Sequence, residues 1–248
     1  MKRALLVYIS ANCLRYSGCF SLIGASSRFL RYTILLVIAS IFFIGSLFSQ
    51  TGQDTYIKTI TDRSVKIVNT LSIKDSAVYN KVVAQLVNQY SGLNKIQEDN
   101  KAVIEKIKQE TAAETEVAPR LKVAAEKKAA DLQLLHQAFI SSLQDLISPE
   151  QVYLVKDGMT YRVFPITYAA YQDMIPTLTE AQKTKIYNWL KEARELAMDA
   201  ESSDKKHAVF GKYKGRINNY LSAEGYDLKK ATEEWQQRIK ERNKPTHS

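Results

Sequence analysis

The stretch Val78-Tyr-Asn-Lys-Val-Val-Ala-Gln-Leu-Val-Asn-Gln-Tyr-Ser-Gly-Leu93 places Val78, Val82, Leu86, Tyr90 and Leu93 three or four residues apart. That is the period of one helix face and not of a strand. The stripe resumes at Val103 and Ile107 after a polar gap near Asn100, which predicts a long helix over about Asp75–Glu110. A second stripe, Leu121, Ala125, Leu132, Leu135, Phe139 and Leu146, predicts another over Arg120–Leu146. Two narrow stripes joined by the polar stretch Thr111–Pro119 read as an antiparallel helical hairpin over 75–146. At 1.5 Å per residue it would reach about 50 Å.

Outward from this pair the helical period persists. Ile57, Ile60, Val65 and Val68 predict a helix over Asp54–Leu71. Beyond it, Ser148-Pro-Glu-Gln151 and Thr179-Glu-Ala-Gln182 are capping boxes, and Ser72-Ile-Lys-Asp75 is a looser variant. Ser148 opens a short helix ended by Gly158 in the left-handed conformation, followed by an extended piece Thr160–Phe164. Alternatively, Asp157-Gly158 turns a small hairpin there. A short helix is then expected around Tyr168–Met174, and longer ones over Glu180–Asp199 and Asp204–Glu224, with Asp227 capping the last. The fold class is all-α: a helical bundle with a long antiparallel hairpin and few short extended segments. Residues 50–248 read as a single domain, within which 148–243 form a C-terminal helical subdomain.

Residues 1–49 have a different character. Lys2, Arg3, Arg15, Arg28 and Arg31 precede or abut the apolar run Tyr32–Phe48, and no acidic residue occurs before Asp54. A basic leader followed by an apolar run is an export signal, so the remainder is expected outside the cytoplasm, periplasmic or at the cell surface. Small residues around Ser49 suit cleavage before Gln50; an uncleaved membrane anchor is the alternative, and would be the chain's one membrane contact. Both cysteines, Cys13 and Cys19, fall in this leader, so residues 50–248 have no thiol for catalysis or metal binding. Five of the 35 basic residues also fall there. The remainder carries 30 against 26 acidic ones, a balance of +4 against +9 for the whole chain. The high pI therefore reflects targeting, and nucleic acid is not expected as a partner.

No HExxH, Walker loop, GxGxxG or GxSxG occurs, and neither metal nor cofactor is expected. The densest set of functional groups is Asp199–Tyr226. Asp199, Lys206, His207, Lys212, Tyr213, Arg216, Asn219 and Tyr220 are the candidate ligand-binding residues, catalytic residues remaining unassigned. Lys205, Lys212, Arg216 and Asn219 form a polar helical stripe able to grip a carboxylate or phosphate, with Arg216 offering a bidentate fork. Gly211 and Gly215, four apart, suggest close approach of a backbone or ligand. A packing helix with a solvated basic face explains the same residues.

Leu178-Thr-Glu-Ala-Gln-Lys183, Trp189–Ala200, Lys205–Leu221, Asp157-Gly-Met-Thr-Tyr161 and Gly225–Lys230 resemble an uncharacterised secreted family of Bacteroidetes-type bacteria. The resemblance covers most of residues 55–242. Its genes often lie near those for degrading pectin-like polysaccharides, and no activity is carried over. The resemblance implies an exported accessory protein binding an acidic oligosaccharide or a protein of the glycan-uptake machinery. The other class is an enzyme, a uronate lyase using the Lys206–Arg216 region, which needs a cation for the carboxylate and a base for the C5 proton.

Overall fold

The computed structural model describes residues 52–110 and 114–244, and its regular elements there are eight helices, one 3-10 turn and no strand. The expected leader and the 1–49 boundary lie outside the described residues. Helix α1 covers 52–68 and runs into a 3-10 turn, Asn69–Leu71. Then follow α2 (Ser76–Glu110), α3 (Glu114–Gln144), α4 (Pro149–Met159) and α5 (Val163–Met174). The chain continues through α6 (Glu180–Met198), α7 (Ser203–Ala223) and α8 (Leu228–Arg242). No described helix is long and apolar enough to cross a membrane.

The helix starts follow from local chemistry. At α4, Gln151 N donates to Ser148 Oγ (3.3 Å) while Ser148 N donates to Gln151 Oε1 (3.1 Å). The Thr179–Gln182 pair repeats this at α6 with 3.3 and 3.0 Å. Each Gln also reaches beyond its own helix: Gln151 Nε2 donates to Leu71 O, and Gln182 Nε2 to Glu224 Oε2. Orphan N–H groups are thus satisfied while α4 is tied to the 3-10 turn and α6 to the end of α7. Asp227 caps α8 through Lys230 N (3.0 Å).

Four expectations are corrected. Ser72 does not cap α2. It ends the preceding turn with φ 54°, and Asp75 Oδ1 takes the N–H groups of Ala77 and Val78 instead. Pro119 lies inside α3, which begins at Glu114 rather than after the proline. There is no extended Thr160–Phe164: α4 and α5 meet at an elbow in which Tyr161 (φ 58°) and Arg162 (φ 56°) are both left-handed. Arg162 N donates to Asp157 O (2.7 Å), and Pro165 occupies the first turn of α5, where a missing donor costs nothing. The elbow costs about 1–2 kcal/mol for each non-glycine residue. Gly158 stays helical within α4, and it is a glycine of close approach: a side chain there would bring its Cβ to 2.9 Å from Ile67 Cγ2 on α1.

Two apolar clusters hold these helices. One gathers Ile60, Ile67 and Val68 of α1 with Val82, Leu86, Phe139, Leu143, Val155 and Met159. The other gathers Phe164, Ile186, Leu190, Phe210, Ile217 and Leu221 from α5–α7. Helix α6 contributes Met198 to the first and Ala193 and Ala197 to the second. Helices α2 and α3 lie alongside each other, Gly92 against Leu135 and Glu110 against Arg120.

Candidate functional site

Helix α6 carries Glu195 and Asp199 four residues apart, hence on one face. Across from them α3 presents His136. Its Nδ1 lies 3.0 and 3.1 Å from the two Asp199 oxygens, and its Nε2 lies 3.5 Å from Glu195 Oε2. Glu195 is held further by Lys156 Nζ at 2.7 Å and Arg194 Nη2 at 3.2 Å. Arg194, 2% exposed, gives its Nη1 to Asp157 at 2.9 Å and lies over the rings of Tyr153 and Phe164. Six charged side chains from α3, α4 and α6 therefore form one chain of contacts, with three positive and three negative groups.

The protonation states follow from the partners. Hydrogen bonds that the ring donates to Asp199 and then to Glu195 raise His136 to about 9 against the opposing effect of burial, so the ring is an imidazolium at neutral pH. Burial works against the Glu195 carboxylate, but the bonds from His136 and Lys156 outweigh it and hold the group at about 2. Burial lifts Asp157, opposed by Arg194. Asp199 stands at the negative end of α6, where a carboxylate is unfavourable. Lys206 offsets this: its Nζ, buried, donates to Ala197 O (2.8 Å) and Met198 O (3.0 Å). Burial lowers that lysine to about 8.

His136, Glu195 and Asp199 lie on the floor of an open groove of about 820 Å³ between α3, α6 and α7, with α2 touching it at Gln97. Its walls carry Leu132, Leu196 and Val209, and amides come from Gln97, Gln133 and Gln137. Lys128, Lys205 and Lys212 bring positive charge to the lining. Lys128 approaches Glu201 at 4.0 Å, whereas among the described residues Lys205 and Lys212 have no ion-pair partner. Among the described residues no cluster of three or more His, Cys, Asp or Glu is arranged to hold a metal ion.

The candidate residues are distributed rather than convergent. Asp199 and Lys212 belong to the groove, and Lys206 sits beneath it as a cap on α6. His207 is exposed and stacks on Tyr161, the centroids 5.6 Å apart at 12°. Tyr213 points inward, its hydroxyl pushed up by burial and by Glu192. Arg216 lies 4.7 Å above the Trp189 ring and 3.9 Å from Glu192; Tyr220 meets the same Trp189 edge-on. Lys185 covers Tyr220 at 4.1 Å. Asn219 is exposed. Arg216 and Tyr220 thus make an aromatic platform on the α6–α7 surface, separate from the groove residues. Among the described residues Gly211 and Gly215 meet nothing within 4 Å at the position of an added Cβ, so close approach by those residues does not explain them.

His136, Glu195 and Lys156 were missed because their partners are distant in sequence: 63 residues separate His136 from Asp199. The available signal was the Glu195–Asp199 spacing, two carboxylates on one helix face that call for a cation opposite.

The model of a family described as a protein of unknown function, DUF3826, matches residues 57–241. The chain belongs to the DUF3826 family. The match spans the described helices from the first turns of α1 almost to the end of α8. No curated protein matches the chain.

Proposed function

We propose that the folded domain is a noncatalytic, exported binding protein for an acidic oligosaccharide of the pectin type, which occupies the α3–α6–α7 groove. The observation that carries this reading is the charge of the groove. The carboxylates on its floor, Glu195 and Asp199, are already satisfied by His136 and Lys156, while among the described residues Lys205 and Lys212 remain unpaired above apolar walls. An elongated ligand bearing carboxylates meets the lysines, and its hydroxyls meet Gln97, Gln133 and Gln137. Export is supported by the basic leader and its apolar run, and a role beside pectin breakdown by the family resemblance.

Binding is favoured over turnover because the residues needed for proton abstraction have other occupations. Both ring nitrogens of His136 face carboxylates, Lys206 caps α6, and Tyr213 is buried against Glu192. A general base must reach the proton it takes.

The test is calorimetric titration of the full-length chain with galacturonate oligomers and neutral oligosaccharides, using wild type, Lys212→Ala and Arg216→Ala. Saturable binding of the acidic series is expected. It should weaken roughly tenfold in Lys212→Ala, stay nearly unchanged in Arg216→Ala, and decline with salt over the ~0.1 M range where screening shortens to about 10 Å. Absence of binding at low salt would overturn the reading. Loss in Arg216→Ala alone would move the site to the Trp189 platform.

A further inference from the structure

Asp157, whose carboxylate is taken by Arg194, also lines a second cleft of about 920 Å³ between α1 and the α4–α5 elbow. Three cations face it, Arg63 and Lys66 from α1 and Arg162 from the elbow. Among the described residues none of the three is ion-paired, although Lys156, Arg194 and Arg242 all are. Arg63 rests instead over the ring of Tyr90, 5.6 Å from its centroid. Against these stand Asp62 and the already neutralised Asp157, so the lining favours a negative guest.

The same cleft has a flat wall. Tyr161, 39% exposed, is fixed by its stack on His207 and lines the cleft beside Leu154 and Ile67. The two left-handed residues, Tyr161 and Arg162, thus bring an aromatic face and a guanidinium to one concavity. Strained non-glycine backbone persists where the surrounding structure fixes it, and such positions concentrate at ligand sites. Charge and an exposed ring together suit a ligand with an anionic group on a ring: the guanidinium takes the oxygens and Tyr161 the ring face.

We infer that this cleft is a second binding site, for a small anion, carboxylate or phosphate, carried on a ring that packs against Tyr161. The inference stands apart from the oligosaccharide reading, since the groove and the cleft share no lining residue.

The experiment is calorimetric titration of the full-length chain at low salt with glucuronate and with ribose 5-phosphate, each beside its neutral counterpart, glucose or ribose. At least one anion binds where its neutral counterpart does not, and the one that binds tells carboxylate from phosphate. Arg162→Asn removes the cation while keeping a residue that tolerates the left-handed backbone. Lys66→Gln removes another cation from an exposed helical position, and it decides alone should Arg162→Asn fail to fold. Each substitution weakens binding by about fivefold or more, and Lys127→Ala on the solvated face of α3, which lines neither cavity, changes it by less than about twofold. The inference is overturned by anions binding no better than neutral sugars, by binding unaltered in both cleft variants, or by binding lost in Lys127→Ala.

Discussion

The exposed charges of α2 and α3 and the buried charges around Arg194 are built from the same residue types and behave differently. On the long helices the pairs spaced by four are Lys95–Asp99, Lys106–Glu110, Lys122–Glu126 and Lys127–Asp131, all largely solvated. In all four the lysine precedes the acid, the weaker order for a helix. Around Arg194 the partners come from α3, α4 and α6, and Arg194 and Asp157 are only 2% and 3% exposed. The surface pairs keep a polar helix soluble. The buried set fixes how three helices meet and charges the floor of the groove. Water makes the difference: an exposed ion that loses its partner is resolvated, while a buried one is left stranded.

The largest break in this contrast is Arg194→Met. It strands Asp157 in the interior and removes one contact of Glu195, so chemical denaturation should show a loss of about 3–5 kcal/mol. Adding Asp157→Leu should recover much of that loss, because no unpaired charge then remains.

Second in size is the pH dependence. His136 lies at about 9 when folded against 6.5 as its ordinary value, so its contribution is complete below 6.5 and fades as pH rises through 9. Glu195 lies at about 2 against 4.5, so its share is present above 4.5 and fades as pH falls toward 2. The two shifts describe partly the same contact and count once. Stability from the network should therefore be greatest between about pH 4.5 and 6.5. The alkaline decline should be on the order of 2 kcal/mol after allowance for partial solvation. In His136→Gln that decline should vanish from a series of melts at graded pH.

A smaller effect belongs to Lys206→Met, which leaves two carbonyls at the end of α6 without their donor. The expected loss is about 1–2 kcal/mol near neutral pH. Because burial lowers Lys206 to about 8 against 10.5, wild-type folding gains from this group as pH rises between those values. The substitution should abolish that gain. Smallest is Lys127→Ala on α3, which should change stability by less than about 0.5 kcal/mol despite its 2.6 Å pair with Asp131.

What the sequence reveals follows the reach of each interaction. Capping boxes and stripes act within a few residues, so Ser148–Gln151, Thr179–Gln182 and the α6 face Ile186, Leu190, Ala193 and Ala197 are legible directly. The α4–α5 elbow is not, because left-handed Tyr161 and Arg162 violate the residue preferences that make turns readable. The glycine just before it misleads, since Gly158 serves contact with Ile67 rather than a turn. In the candidate site, Asp199 and Lys212 stand out because the segment Asp199–Tyr226 is dense in polar groups. Lys206 reads as a ligand cation until tertiary structure turns it onto the carbonyls of α6. His136 carries no spacing signature at all.

Folding holds His136 as an imidazolium on the groove floor at neutral pH. The most direct measurement is a long-range proton–nitrogen NMR spectrum of the imidazole rings at pH 7.5, with His136→Gln to assign the signal. Both ring nitrogens of His136 should carry protons, and the signal should titrate near pH 9. A neutral His136 with one bare nitrogen at pH 7.5 would contradict it, and with it the charge assigned to the groove.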